Sequence, residues 1–175
     1  MHRKIYIEDS PVQDTEAAFV DMVKRYEALI YKVCLAFTRK RHDEVEDLKQ
    51  DILCNLWQGY AGFRKESKES TWIYKVALNT GLQYYHRNKR MPDTEGLTQQ
   101  MVESYVDESD SRQLDKLYEL IHRLNDDEQK LVIMYLDDLS GKEIAEVLGI
   151  SEGNVRIKMF RVKEKLKRMA QYEKD

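Results

Sequence analysis

The carboxyl-terminal third of the chain contains two short helical patterns separated by one glycine turn. Ser140 and Glu143 have the spacing of a capping box, in which two side chains satisfy free backbone N–H groups at a helix start. Gly149 follows where a helix commonly ends in a left-handed conformation. Ser151 then provides a second N-cap. Apolar residues recur behind it at helical steps, at Val155, Met159, Val162 and Leu166. This stretch predicts a helix-turn-helix.

The outer face of the second helix carries an unusual mixture of side chains. At about 100° per residue, Ile157 and Phe160 fall opposite the apolar stripe. They are surrounded by cations at Arg156, Lys158, Arg161 and Lys163. Such a face suits a DNA major groove, where apolar atoms contact thymine methyls while arginine contacts guanine or phosphate. The alternative is that another helix packs on this face and the cations are only solvated.

Charge is distributed unevenly along the 175 residues, which carry a net charge of −3. The segment from Met91 to Ser111 contains six acidic residues and no basic one, and Pro92 and Gly96 interrupt helical patterning there. We interpret this segment as an acidic linker. Hydrophobic content of 42 % is sufficient for folded cores on either side. The sequence therefore predicts an all-α fold of two small helical domains.

Composition argues against several other classes of protein. Cys34 and Cys54 form no CxxC pair and lie in apolar helical patterns, which predicts that both are buried. The four histidines are scattered, so we expect no metal site and no cofactor. The sequence contains no phosphate-binding glycine loop, no HExxH motif and no set of residues typical of nucleophilic catalysis. We therefore do not expect an enzyme. No apolar run could span a bilayer and the start lacks a signal peptide's apolar core, so we expect a cytoplasmic protein.

Three further helices are predicted before the linker. Apolar spacing favours one long helix from Thr15 to Phe37. A second helix has an apolar stripe, and its outer side carries Asp47, Gln50 and Asp51. Polar residues on the outer side of a helix are most often only solvated, so a binding role is not required to explain them. The stripe consists of Val45, Leu48, Ile52 and Leu56.

The third predicted helix starts near Thr71 and mixes aromatic residues with cations. Aromatic faces can stack on unpaired bases while cations hold the backbone of a single strand. The alternative is that Trp72 belongs to the core. The aromatic members are Trp72, Tyr74, Tyr84 and Tyr85, and the cations are Lys75, Arg87, Lys89 and Arg90.

The order of these segments resembles the extracytoplasmic-function group of bacterial sigma factors, from about Phe19 to Arg168. The stretch "EDLKQDILCNLW" is similar to the family segment that docks on the clamp coiled coil of core RNA polymerase. "TWIYKVALNTGLQYYHRNKR" is similar to the segment for promoter melting and the minus-10 element. "LNDDEQKLVIMYLDDLSGKEIAEVLGISEGNVRIKMFRVKEKLKR" resembles the minus-35 domain. The resemblance implies sigma region 2 at residues 15–90, the linker at 91–111 and region 4 at 112–170.

The resemblance also implies roles for individual residues. Contacts with core polymerase would come from Asp47, Leu48, Gln50 and Asp51. The opened minus-10 strand would be handled by Phe63, Trp72, Asn79, Tyr84, Tyr85, Arg87 and Arg90. The minus-35 duplex would be read by Arg156, Ile157, Lys158, Phe160, Arg161 and Lys163.

Further implications concern the loop, the linker and the regulatory partner. The loop from Phe63 to Ser70 would line a pocket for a flipped base, and the linker would thread toward the polymerase active centre. A controlling anti-sigma factor is also implied. The chain departs from the family pattern at Gly141, which replaces a common aromatic, at Ile157, which replaces a small polar residue, and at Glu69, which replaces an apolar one.

A second function remains open on the residues alone. A free-standing helix-turn-helix regulator acting as a dimer would also explain Ser140 to Leu166. Such a dimer usually reads paired half-sites about one helical turn apart. This reading leaves the amino-terminal helices without a role.

Overall fold

The computed structural model describes residues 11–38, 42–63, 66–89 and 116–172, with side chains from Thr15 onward. Every regular element in these ranges is a helix, in agreement with the predicted all-α fold. Arg90 and the predicted linker lie outside the described ranges. The helices are α1 (Pro11–Arg25), α2 (Glu27–Phe37), α3 (His42–Tyr60), α4 (Glu69–Lys89), α5 (described over 116–121), α6 (Asp126–Leu136), α7 (Gly141–Leu148) and α8 (Glu152–Tyr172).

The long helix predicted from Thr15 to Phe37 is in fact two helices, and this prediction was wrong. The break lies at Tyr26, whose backbone has φ −110° and ψ 14°. The Tyr26 N–H donates to the carbonyls of both Met22 and Val23, at 3.2 Å each, so the regular ladder is interrupted there. Apolar spacing continues across the break because both helices cover the same core, and the sequence pattern therefore hides it.

Helices α2, α3 and α4 pack together around the amino-terminal core. The predicted stripe of α3 is buried. Phe37 lies against Gly81, where an added Cβ would come within 2.3 Å of the phenyl ring, so glycine permits this close approach of α2 and α4. Cys34 is buried, and burial raises the pKa of its thiol to about 12. Cys54 is exposed, contrary to prediction, because it projects away from the stripe of α3.

Local capping fixes where α6, α7 and α8 begin. The Asn125 side chain accepts from the Glu128 N–H at 2.9 Å, and the Glu128 carboxylate accepts from the Asn125 N–H at 3.1 Å. Ser140 and Glu143 form the predicted capping box in the same way. Hydrogen bonds from Ser140 lower the pKa of the Glu143 carboxyl below its usual value.

The amino-terminal and carboxyl-terminal helices share one continuous core. The buried residues from Met22 to Val162 form a single contiguous cluster, and α4 packs directly against α7. The two predicted domains therefore lie in contact with each other.

Among the described helices, none combines the length and apolar character needed to cross a bilayer.

Candidate nucleic-acid interface

The helix-turn-helix is formed by α7 and α8 and has the predicted turn. Gly149 ends α7 with φ 67°, in the left-handed region. Ser151 caps α8 by accepting from the Asn154 N–H at 3.2 Å. Val155 and Met159, with Val162, are buried and hold α8 against the rest of the chain.

The outward face of α8 presents apolar side chains to solvent. Phe160 is 69 % exposed and Ile157 is 52 % exposed. No helix in the described ranges covers them, so the alternative of a packed outer face does not hold for this part of the chain. Large apolar side chains that are this exposed commonly mark an interaction surface.

The cations of α8 form an unpaired and a paired group. Arg156, Lys158 and Arg161 are exposed and make no hydrogen bond or ion pair with any described residue. Farther along α8, Lys165 pairs with Glu128 at 2.7 Å and Lys167 pairs with Glu164 at 2.9 Å. Available positive charge is therefore concentrated in the first half of α8, beside Ile157 and Phe160, where it can neutralise phosphates.

Tyr135 at the end of α6 contributes to this surface and was missed by the sequence reasoning. It is 44 % exposed, and Lys163 donates to its hydroxyl at 2.8 Å while the ammonium lies 4.1 Å from the ring centroid. This contact fixes Lys163 at the edge of the outward face of α8. The two residues are far apart in sequence, and no local pattern links them.

The outer side of α3 carries the predicted acidic face. Asp47 and Gln50 are exposed and have no hydrogen-bond or ion-pair partner among the described residues. Asp51 is partly exposed and accepts from Arg87 of α4 at 2.9 Å. Leu48 is fully buried, so it cannot contact a partner in this conformation. It belongs to the apolar stripe that fixes the orientation of α3 instead.

One side of α4 is polar and open to solvent. Asn79 lies on this side and makes no hydrogen bond with a described residue. Lys75 and Gln83, four residues before and after it, are exposed on the same face. Gln83 was not singled out from the sequence, although its four-residue spacing from Asn79 was a usable signal.

The two adjacent tyrosines of α4 have different environments. Tyr84 is only 5 % exposed, so the prediction that it stacks on a base is incompatible with its position in this structure. Burial raises the pKa of the Tyr84 phenol, which therefore stays neutral. Tyr85 is half-buried, and its ring stacks on His122 at a centroid distance of 4.3 Å. Consecutive helical residues point about 100° apart, which separates the pair.

A cleft lies beside the loop between α3 and α4. Phe63 stacks on Trp72 with ring centroids 4.8 Å apart, and Trp72 fits against Gly59, where a Cβ would come within 3.1 Å of its ring. The cleft has a volume of about 350 Å³ and is lined by Gly59, Gly62, Phe63, Glu66, Ser67 and Trp72. Its size and aromatic wall suit a flat ring such as a base.

Glu69, one of the departures from the family pattern, does not line this cleft. Its carboxylate pairs with Arg25 of α1 at 3.0 Å, so its charge is balanced within the amino-terminal helices. The described residues contain no group of three or more histidine, cysteine or carboxylate side chains that could hold a metal ion.

Comparison with known proteins identifies both halves of the chain. Residues 22–91 match the model for Sigma-70 region 2, and residues 114–166 match the model for Sigma-70, region 4. The ECF RNA polymerase sigma factor SigW of Bacillus subtilis (strain 168) is 30 % identical over 165 residues, which cover 86 % of this chain and 88 % of the relative. The match over residues 22–91 gives no support to an isolated helix-turn-helix regulator.

Two solved structures share the fold. A structure of CnrH in complex with the cytosolic domain of CnrY aligns with a TM-score of 0.64 and 18 % identity, over 90 % of each chain. The sigma factor RpoE, in a co-crystal with the anti-sigma factor NepR from Bartonella quintana, aligns with a TM-score of 0.57 and 19 % identity, over 91 % of this chain and 98 % of that one.

Proposed function

Because the chain belongs to the extracytoplasmic-function group of the sigma-70 family, we propose that its three exposed faces divide polymerase docking and promoter recognition among them. The chain is a sigma factor, which binds core RNA polymerase and directs initiation at specific promoters. Region 2 occupies residues 15–90 in this proposal, the linker residues 91–111 and region 4 residues 112–170.

The face of α8 reads the minus-35 duplex. The observation that carries this assignment is the exposure of Phe160 and Ile157 beside cations that have no described partner. In a major groove the apolar side chains contact thymine methyls, and the cations bind guanine or phosphate. The complete reader set is Arg156, Ile157, Lys158, Phe160, Arg161 and Lys163.

The face of α3 docks on core polymerase. Asp47, Gln50 and Asp51 are accessible and carry acidic or amide groups, so they suit a basic surface of the polymerase. Leu48 contributes from beneath, because its burial holds the helix in the orientation that displays these groups.

The cleft and the outer side of α4 capture the opened minus-10 strand. A base extruded from the duplex costs a few kcal/mol of unstacking, and a pocket that receives it stabilises the open form. Phe63 and Trp72 provide the aromatic wall of that pocket. Asn79, Arg87 and Arg90 bind the strand outside it, and Tyr85 joins them when its ring is released from His122.

The remaining assignments follow from this role. The acidic linker threads through polymerase toward the active centre. A specific anti-sigma factor covers the free protein, as NepR accompanies the related RpoE. The protein acts in the cytoplasm with its polymerase and performs no covalent chemistry of its own.

Assembly with core polymerase followed by footprinting tests this proposal. We expect a stable complex with core polymerase and one asymmetric footprint that covers both promoter elements, seen only when both components are present. Symmetric protection of paired half-sites by the chain alone would support the dimeric regulator instead.

A further inference from the structure

Lys163 of α8 is held by a neutral partner. Its ammonium donates to the Tyr135 hydroxyl at 2.8 Å and lies over the ring, 4.1 Å from the centroid, and it forms no ion pair with a described residue. Lys165, two residues farther along α8, is held instead by the Glu128 carboxylate at 2.7 Å. A carboxylate compensates the charge of the cation that it holds, whereas a phenol does not. Lys163 is therefore fixed in position while its positive charge stays available.

The hydroxyl of Tyr135 has a hydrogen that this contact does not use. A protonated lysine can only donate hydrogen bonds, whereas a phenol has one O–H hydrogen and also accepts. The Tyr135 oxygen is therefore the acceptor from Lys163, and no described residue accepts the O–H hydrogen in turn. The adjacent ammonium polarises the O–H bond and makes it a better donor. Because Tyr135 is exposed, this donor is open to an acceptor that arrives from solvent.

The pair lies beside the face of α8 that is proposed to read the minus-35 duplex. Lys163 is exposed and follows Phe160 by three residues, so the two side chains are neighbours on the helix surface. It follows Arg156 by two helical turns, which separates the two residues by about 10 Å along the axis at 1.5 Å per residue. The two cations are therefore far enough apart to contact different phosphates of one duplex.

Each member of the pair supplies what the other lacks. Tyr135 lies in the last turn of α6, and the carboxyl end of a helix carries a partial negative charge that disfavours an anion. The charge of Lys163 offsets this effect. A free lysine, in turn, has a long side chain whose many rotamers must be restricted when it binds. The contact with Tyr135 restricts Lys163 before DNA arrives.

We propose that Tyr135 and Lys163 form a clamp for one phosphate of duplex DNA, in which the tyrosine O–H and an N–H of the ammonium both donate to oxygens of the same phosphate. The inference rests on the proposed function of α8 and adds a residue of α6 to it. Phosphate contacts carry no base information, so the clamp fixes the register of α8 in the groove while Phe160 and its neighbours contact bases.

Three single variants of the full chain separate this clamp from a contact that only joins α6 to α8. Tyr135→Phe removes the hydroxyl and keeps the ring beside the ammonium, and Lys163→Met removes the charge. Lys167→Met is the matched control, because it removes an exposed cation one turn farther along α8, whose partner is Glu164. Fluorescence anisotropy measures affinity for a fluorescein-labelled mixed-sequence duplex over a series of salt concentrations, since phosphate binding does not depend on sequence. Thermal melting checks that each variant is folded.

We expect Lys163→Met to make the slope of log affinity against log salt concentration shallower by about 0.9, because one phosphate contact is lost. Tyr135→Phe should keep the wild-type slope, because it removes no charge, and should weaken binding about two- to tenfold. When Lys163→Met is already present, adding Tyr135→Phe should have little further effect, since the hydroxyl then lies at a helix end without its cation. Lys167→Met should keep the wild-type slope.

Wild-type affinity in a folded Tyr135→Phe variant would overturn the clamp and leave Lys163 as a lone phosphate contact. Equal changes of slope in Lys163→Met and Lys167→Met would also overturn it, because the effect would then be one of net charge. So would the absence of duplex binding at the lowest salt concentration. Assembly of the wild-type chain with core polymerase is a separate readout: normal assembly beside any of these results rejects only the clamp, whereas failure of assembly rejects the proposed function.

Discussion

Arg87 of α4 donates to the Asp51 carboxylate of α3 at 2.9 Å, so a residue proposed to bind DNA touches a residue proposed to bind polymerase. Both side chains are substantially exposed, and an ion pair of this kind contributes at most about 1 kcal/mol to stability. The proposed docking gives the pair a role in binding, because a basic polymerase surface at Asp51 would compete with Arg87 for the same carboxylate.

Asp51→Arg should abolish most of the affinity for core polymerase. A cation on the docking face replaces attraction by repulsion, at a cost of several kcal/mol at a desolvated interface. Folding should survive because the residue lies off the buried stripe of α3. Affinity titration with circular dichroism checks both statements. The Asp51→Arg, Arg87→Asp double variant is the matched control: it re-forms the internal pair but should still fail to bind polymerase. Restored binding would show that the internal pair is the cause.

Phe160→Ala and Met159→Ala should have opposite consequences. Phe160 is exposed, so its truncation should change stability by less than about 0.5 kcal/mol and reduce minus-35 discrimination by about 1–3 kcal/mol. Met159 is the buried neighbour of Phe160, so Met159→Ala should reduce the free energy of unfolding by about 2–5 kcal/mol. Thermal melting and a series of single-base promoter variants measure the two effects. A large loss of stability in Phe160→Ala with unchanged base preference would place that side chain in a core.

Glycine substitutions test the turn of the helix-turn-helix. Gly149→Ala should destabilise the protein by about 1–2 kcal/mol, because φ 67° is unfavourable for a residue with a Cβ. Gly153→Ala is the matched control: it lies in the first turn of α8 with open space around it, and alanine should leave stability unchanged or raise it by up to about 1 kcal/mol. Chemical denaturation of both variants provides the comparison, and equal effects would contradict the assigned turn.

Mild acid should weaken the packing of the carboxyl-terminal helices on the amino-terminal helices through His122, whose ring stacks on Tyr85 of α4. Burial lowers the pKa of this imidazole below its ordinary value of 6.5, and the nearby Lys89 ammonium acts in the same direction. The folded chain therefore favours the neutral form of the His122 ring. Its contribution to stability is complete above pH 6.5 and is lost as the pH falls through the lowered pKa.

His122→Gln should reduce the drop in melting temperature that the wild-type chain shows between pH 7 and about pH 5. His86→Gln is the matched control: it changes the residue that lies 2.8 Å from the Asp126 carboxylate, and it should keep the slope that His122 produces. A wild-type slope in His122→Gln would assign the acid sensitivity to other groups.

Local signals in the sequence predicted local structure well. The capping pairs Asn125–Glu128 and Ser140–Glu143, with the left-handed Gly149, are confirmed because each depends on residues within one helical turn. The break at Tyr26 was not predictable from apolar spacing, since the spacing continues across it.

Long-range relationships were beyond the same reasoning. Helical periodicity indicates which side of a helix is buried, but it does not identify the partner that covers it. The stack of Tyr85 on His122, the contact of Lys163 with Tyr135 and the pairing of Arg87 with Asp51 each join separate helices. Leu48 shows the converse: its buried position followed from periodicity, and the family resemblance alone suggested a polymerase contact.

The central claim is that this chain gives core RNA polymerase its promoter selectivity, and run-off transcription tests it most directly. Purified core polymerase is supplied with duplex genomic fragments, with the wild-type chain, with Asp51→Arg or with no addition. The account predicts discrete promoter-selective transcripts with the wild-type chain and none under the other two conditions. Absence of any selective transcript, together with failure to form a complex with core polymerase, would contradict it.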